Sequence, residues 1–98
     1  MMDSAQNPEE FYENLKIKLQ DTAMWPTEYL YKFIVVTKES KVEIIQQVFD
    51  NMGAVIQTTK SKKGKYTSVS VNVRMKNPDA VIEKYKEIGE KVDGVISL

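Results

Sequence analysis

The feature that most constrains the fold is an alternation of apolar and polar side chains near the middle of the chain. The apolar positions are Val69, Val71, Val73 and Met75, and they alternate with Ser68, Ser70, Asn72 and Arg74. Successive side chains of a strand point to opposite faces, so residues 65–75 are predicted to form a strand with one buried and one polar face. Such a sheet is covered by helices on one side only.

The rest of the chain supplies the elements that such a sheet needs. Residues 29–37 are rich in aromatic and β-branched side chains, which favours a strand. The predicted strands are 29–37, 54–60, 65–75 and 95–98, and the predicted helices are 8–21, 39–52 and 77–90. The order β-α-β-β-α-β over residues 29–98 predicts an α+β, ferredoxin-like sandwich. Its four-stranded antiparallel sheet would carry two helices on one face.

Helix ends are marked by local residue patterns. An Asn-Pro-acid sequence occurs at 7–9 and again at 77–79, where Asn caps the helix and Pro suits its first position. Ser40 and Glu43 have the spacing of a capping box, and Gly53 suits the left-handed residue just past a helix. These patterns predict where the three helices begin and where the second one ends.

The first 23 residues are predicted to be an extension with an amphipathic helix, added to a domain at 24–98. Phe11, Leu15 and Leu19 form one apolar stripe on that helix. With Trp25, the stripe is expected to pack on its own domain or on a twin subunit. The alternative is a docking helix for a different protein.

The absence of two residue types restricts the chemistry. The chain has no Cys and no His, which excludes thiolate nucleophiles, Cys-based metal sites and the usual proton-transfer side chain. Residues 37–40 also lack the Gly-rich phosphate loop that acylphosphatases of this topology need. We therefore expect no enzyme activity, no catalytic residues, no metal and no cofactor. With no long apolar run and a polar N-terminus, we expect a cytoplasmic protein that does not bind membranes.

Three segments resemble a known family. They are residues 25–32 (WPTEYLYK), 61–71 (SKKGKYTSVSV) and 94–98 (GVISL). The chain resembles the YbeD-like family of small bacterial proteins of unknown function over about residues 24–98, although Trp25 stands where we expect Phe. The resemblance implies a ferredoxin-like sandwich similar to ACT regulatory domains. Family members are often described, largely through gene neighbourhood, as lipoic-acid-binding or lipoate-linked regulators. No family binding residues carry over.

The uncovered face of the predicted sheet is the first candidate site. Its residues on the two central strands are Lys32, Ile34, Val36, Tyr66, Ser68, Ser70, Asn72 and Arg74. One interpretation is an ordinary solvated face, and the other is a platform for a small carboxylate or a protein partner. For an acidic, partly apolar molecule such as lipoate, Arg74 and Lys32 would bind the carboxylate. Ile34 and Val36 would contact the apolar tail.

The second candidate is a lysine-rich turn around Gly64. Its members are Lys60, Lys62, Lys63 and Lys65, within a segment, 29–76, that carries nine basic and three acidic residues. One interpretation is an anion-binding tip, and the favoured interpretation is a solvated turn whose lysines deter edge aggregation. RNA-binding domains of this topology stack bases on several aromatics, whereas this face offers Tyr66 alone, so nucleic acid is disfavoured. A regulatory module, a structural interaction domain and a homo-oligomer remain open.

Overall fold

A computed structural model describes residues 8–38 and 40–97. The elements are α1 (Pro8–Thr22), β1 (Thr27–Val36), α2 (Lys41–Val48), β2 (Val55–Lys60), β3 (Tyr66–Met75), α3 (Pro78–Lys91) and β4 (Ile96–Ser97). The strands form one antiparallel sheet in the order β2-β3-β1-β4. This confirms the predicted α+β, ferredoxin-like arrangement. None of the helices in the described residues combines the length and apolar character needed to cross a lipid bilayer.

One face of the sheet and the two helices α2 and α3 enclose the core. Alternate residues of β1 and β3 are buried, and so are the inward positions of both helices. The valines of the alternating segment are buried, as predicted, together with apolar residues of β1 and α2, and the set is Phe33, Val35, Ile45, Phe49, Val69, Val71 and Val73. The period of two in the sequence therefore identified the buried face of each central strand correctly.

Three tyrosines lie together at the side of the core next to α3. Tyr31 is fully buried, and its hydroxyl donates to the carbonyl oxygen of Val81 at 3.0 Å. The Tyr31 ring lies 4.9 Å from that of Tyr85, whose hydroxyl is 2.8 Å from the Tyr29 hydroxyl. Burial raises the pKa of Tyr31 and of Tyr85 above the ordinary tyrosine value. Both hydroxyls are thus held neutral and hydrogen-bonded, as buried polar groups require.

The ends of α2 differ from the sequence prediction. The helix ends at Val48 instead of residue 52. Gly53 has the predicted positive φ angle, 70°, but Asn51 also has a positive φ angle, 63°. Residues in that conformation cannot continue a right-handed helix, so the chain turns earlier than expected. The predicted capping box is also wrong, because the Ser40 side chain makes no hydrogen bond to the start of α2.

The start of α3 follows the prediction closely. The Asn77 side chain accepts a hydrogen bond from the Ala80 backbone N–H at 2.8 Å, and Pro78 opens the helix. The matching Asn7 lies outside the described residues.

The start of β1 also differs from the sequence prediction. The strand begins at Thr27, two residues earlier than predicted, because Thr27 pairs with Met75.

Polar contacts hold α1 against α3. Lys16 forms an ion pair with Asp79 at 2.9 Å, and the Asp79 carboxylate raises the pKa of Lys16. The Lys86 ammonium lies 5.4 Å from the centre of the Tyr12 ring. These are contacts of the helix surface and add no large apolar area to the core.

The apolar stripe of α1 is used only at its end. Leu19 packs against the core together with Trp25, and the Trp25 indole N–H donates to the Leu19 carbonyl at 3.0 Å. Phe11 at the other end is 52% exposed. The stripe therefore packs on its own domain at Leu19, is half-buried at Leu15 and is exposed at Phe11, and its packing on a twin subunit stays a prediction.

Candidate functional site

The open face of the sheet carries the second set of alternating side chains, and no described helix covers it. On β1 and β3 the paired residues of this face are Glu28 with Arg74, Leu30 with Asn72, Lys32 with Ser70, Ile34 with Ser68, and Val36 with Tyr66. Cross-strand partners share a face and lie about 4.5–5.5 Å apart between Cβ atoms. The register therefore brings all eight predicted residues onto one face.

Lys32 lies among aliphatic side chains near the middle of this face. Leu30 and Ile34 are its neighbours along β1, and Ile34 is paired with Ile96 of β4. Leu30 is 50% exposed and Ile96 is 52% exposed, so both present apolar area to solvent. We call this group, Lys32 with Leu30, Ile34, Ile96, Ser68 and Ser70, the Lys32 patch. It combines one cation, hydroxyl groups and an apolar surface.

Arg74 does not join Lys32. Lys32 pairs with Ser70, whereas Arg74 pairs with Glu28. Four residues along β3 separate the two positions by about 13 Å, at roughly 3.3 Å per residue. Glu28, which carries a carboxylate, lies directly opposite Arg74 across the strand pair. The register thus offsets the two cations along the sheet, which favours Lys32 alone as the cation for one small carboxylate.

Sequence analysis missed three exposed aliphatic residues on the open face. They are Leu30, Val55 and Ile96, and Val55 is 62% exposed. Leu30 is two residues before Lys32 on β1, so the two side chains share a face. The sequence of β1 alone could therefore have placed Leu30 on the open face. The positions of Val55 and Ile96 depend on how β2 and β4 pair with their neighbours, which a local pattern does not fix.

The lysine-rich turn is exposed, as its composition predicts. The backbone N–H of Gly64 donates to the Ser61 carbonyl at 2.8 Å, and Gly64 has a φ of 75°, as the turn requires. Lys60, Lys62, Lys63 and Lys65 are all exposed, and none forms an ion pair with a residue in the described ranges. The Lys65 ammonium lies 5.5 Å from the Tyr66 ring centre, at the edge of the open face.

The ionisable groups with clearly shifted pKa values lie away from the open face. Besides the two core tyrosines and Lys16, Glu87 on α3 has a pKa held below its ordinary value, chiefly by its hydrogen bond from Lys91. Lys84 also donates to Glu87, at 3.2 Å, and to the Val48 carbonyl, at 2.8 Å. These groups connect α3 to α2 and act within the fold. The Lys32 patch offers binding groups, with no acid–base pair built into it.

Comparison with known proteins gives three similarities. A family model described as a protein of unknown function (DUF493) matches residues 20–96. A UPF0250 protein of Cronobacter sakazakii is 28% identical over 79 residues, covering 78% of this chain and 91% of the relative. The ACT domain from GTP pyrophosphokinase of Chlorobium tepidum has a similar structure, with a TM-score of 0.52 and 19% identity over 74% of this chain and 100% of that domain. At that identity, the structural likeness concerns the fold alone.

Proposed function

The chain belongs to the DUF493 family of unknown function and has an ACT-like fold, and from these premises we propose that it is a non-enzymatic regulatory or ligand-binding module. The family match confirms the YbeD-like resemblance. The lack of Cys and His supports binding over catalysis, because the side chains most used as nucleophile and proton carrier are missing.

The Lys32 patch is the proposed binding site. The observation that carries this proposal is the exposure of Leu30 and Ile96 on either side of a lysine, on a face without a covering helix. A contiguous apolar surface next to a cation suits a molecule with a carboxylate at one end and an apolar tail. Lipoate and octanoate have this chemistry. An open sheet face is shallow compared with a ligand pocket, so we expect weak binding. The Kd should be about 1 mM or somewhat lower, which corresponds to a binding free energy of about −4 kcal/mol.

A second candidate uses the same surface differently. Leu30 and Val55 lie on either side of Asn72 in one row across three strands, and both are at least half exposed. A protein partner could cover that row as well as the Lys32 patch, which a small carboxylate could not do. Substituting Val55, which lies outside the Lys32 patch, would weaken a protein contact while leaving the binding of octanoate at Lys32 nearly unchanged.

The test is an NMR titration of the ¹⁵N-labelled protein with lipoate and with octanoate. We expect chemical-shift changes at the amides of β1, β3 and β4 around Lys32. Lys32→Gln should reduce the affinity by up to about five-fold, because an exposed charge pair contributes roughly 0.2–1 kcal/mol. Arg74→Gln is the matched control on the same face and should leave binding unchanged.

The outcomes separate the site from its alternatives. Shifts confined to residues 60–65, and lost on Lys63→Gln, would assign the ligand to the lysine-rich turn instead. Equal binding by wild type and Lys32→Gln would eliminate the Lys32 patch. No shift at millimolar ligand would eliminate these carboxylates altogether.

A further inference from the structure

The lysines of the β2–β3 turn do more than protect the edge of the sheet. Lysines that deter pairing at a sheet edge lie on the edge strand itself. Of the four lysines only Lys60 lies in the edge strand β2. Lys62 and Lys63 lie in the turn, and Lys65 precedes β3, which has a strand on both sides. Edge protection therefore explains one of these lysines and leaves three to be explained by another role.

Ser61 holds the turn in one shape. Its carbonyl accepts a hydrogen bond from the Gly64 N–H, and its own N–H donates to the Tyr66 carbonyl, both at 2.8 Å. Its hydroxyl accepts a third hydrogen bond, from the Tyr66 N–H at 3.1 Å. These bonds fix the backbone that carries Lys62 and Lys63. A preorganised backbone loses less conformational entropy on binding than a loose loop does.

The end of β1 adds a fifth lysine to the turn. The Thr37 N–H donates to the Lys65 carbonyl at 2.9 Å, which extends the pairing of β1 with β3 by one residue. Lys38, the next residue, therefore comes beside Gly64. It is exposed and forms no ion pair with any residue in the ranges 8–38 and 40–97. We call the five residues the lysine tip, and they are Lys38, Lys60, Lys62, Lys63 and Lys65.

The charges of the lysine tip surround the end of the hairpin and do not lie in one plane. Lys60 pairs with the buried Thr67, so its side chain lies on the helix-covered side of the sheet. The Lys65 ammonium lies 5.5 Å from the ring centre of Tyr66, which belongs to the open face. A flat bilayer would contact one of these sides, whereas a flexible chain can contact both.

The lysine tip lacks the groups that select phosphate or nucleic-acid bases. A phosphate cradle uses successive outward N–H groups or the fork of arginine. Here the Gly64 N–H is used inside the turn, and every cation of the tip is a lysine. Bases stack on aromatic rings, but Tyr66 is the one aromatic residue of segment 60–67 and has the Lys65 ammonium near its ring. Separate lysine ammonium groups suit separate carboxylates.

We propose that the lysine tip binds an acidic, flexible segment of a partner protein, with Glu or Asp side chains spaced along an extended chain. Several ion pairs form, each of them weak because it is exposed, and the positive field accelerates the encounter. The site is separate from the Lys32 patch. Lys32 pairs with Ser70, four residues along β3 from Tyr66, or about 13 Å. The two proposals therefore fail or succeed independently.

The test is an NMR titration of the ¹⁵N-labelled protein at about 0.15 M salt. The probe is a ten-residue peptide of alternating Glu and Ser, and the control peptide carries Gln in place of each Glu. We expect the Glu peptide to shift the amides of residues 60–66 and of 37 and 38. The Gln peptide should shift none of them. Lys32→Gln, which tests the Lys32 patch, should leave peptide binding unchanged.

Charge reversal separates the lysine tip from net charge. Lys62→Glu with Lys63→Glu should weaken peptide binding at least about ten-fold, because attraction becomes like-charge repulsion. Lys18→Glu with Lys76→Glu makes the same change in net charge at two exposed lysines outside the tip. Lys76 lies about 30 Å from the turn along β3, beyond the Debye length of about 8 Å, and Lys18 lies on α1. This control should change the affinity less than about two-fold.

The outcomes decide between the tip and its alternatives. Lys62→Arg with Lys63→Arg keeps both charges and should keep the affinity within about two-fold. Equal losses in the two charge-reversal variants, binding of the Gln peptide, or no shift at several millimolar Glu peptide would each overturn the proposal. So would tighter binding of phosphatidylserine vesicles, or of a uridine hexanucleotide with the same five charges, than of the Glu peptide.

Discussion

The two faces of the sheet are built from the same strands but differ in burial and in the types of residue they carry. Along β1, Phe33 and Val35 are 1% exposed, while their neighbours Ile34 and Val36 keep part of their surface in solvent. On the helix-covered face every position of the two central strands from Tyr31 to Val35 and from Thr67 to Met75 is buried. The open face mixes aliphatic, hydroxyl and charged side chains with no such order.

This difference shows where packing determines the residue and where it does not. A buried position must fill a given volume with an apolar group, and its identity follows from the core around it. Nothing in the described fold requires Ile34, Leu30 or Ile96 on the open face. Aliphatic residues there cost solvation and add little to the core, so a contact outside the monomer is the physical reason to have them. Four substitution experiments measure the contrast.

Adjacent valines give the largest contrast. Val35→Ala empties space in the core and should lower the free energy of unfolding by about 2–3 kcal/mol, from the lost methyl groups and the cavity they leave. Val36→Ala, on the open face, should lower it by about 1 kcal/mol or less, chiefly through strand propensity. Urea denaturation measures both. Equal losses would show that the open face is packed as tightly as the core.

Tyrosine hydroxyls give the next contrast. Tyr31→Phe removes the donor to the Val81 carbonyl in the core and should cost about 1–2 kcal/mol. Tyr66→Phe, at the edge of the open face, should change stability by less than about 0.5 kcal/mol. The same denaturation experiment compares them. A large effect at Tyr66 would mean that its hydroxyl has a partner in solution, and it would narrow the difference between the faces.

Alkaline pH should lower the stability of the protein through the tyrosines on the helix-covered side of the sheet. The pKa values of Tyr31 and Tyr85 lie above the ordinary 10.0 in the folded protein, so the folded state retains their protons longer than the unfolded state does. Their contribution to stability is complete below about pH 10 and is lost progressively as the pH rises further. Thermal denaturation between pH 9 and 11 should show this fall. Tyr85→Phe should flatten it, and a slope unchanged in that variant would contradict the assignment.

The smallest expected effect lies on the open face. Glu28 and Arg74 oppose each other across β1 and β3. A double-mutant cycle with Glu28→Gln and Arg74→Gln should give a coupling energy of about 0.2–1 kcal/mol. Salt should reduce it, because exposed charges are screened within a Debye length of about 8–10 Å. Coupling that is unchanged at 1 M salt would indicate that the pair is shielded from solvent, against the description of this face as open.

The sequence predicted what depends on local pattern and failed where distant segments meet. The alternation over 65–75 was enough to assign each side chain of β3 to a face. The offset between Lys32 and Arg74 was not predictable, because it depends on the register of β1 against β3, which long-range pairing sets. The early end of α2 was missed for a local reason, since Asn tolerates a left-handed conformation without being confined to it. The cap at Asn77 was found because a single side chain suffices to make it.

The polar attachment of α1 has a consequence for motion. An ion pair, a cation near a ring and one indole hydrogen bond hold this helix, whereas β1 and β3 share a long ladder above an apolar core. Detaching α1 uncovers Leu19 but leaves the sheet and the core beneath α2 and α3 in place, so it requires far less free energy than unfolding the sheet. The amide hydrogens of α1 should therefore exchange with solvent deuterium well before those of β3, and sooner still as ionic strength rises. In kinetic terms, α1 opens on a fast timescale, whereas the sheet beneath it opens slowly.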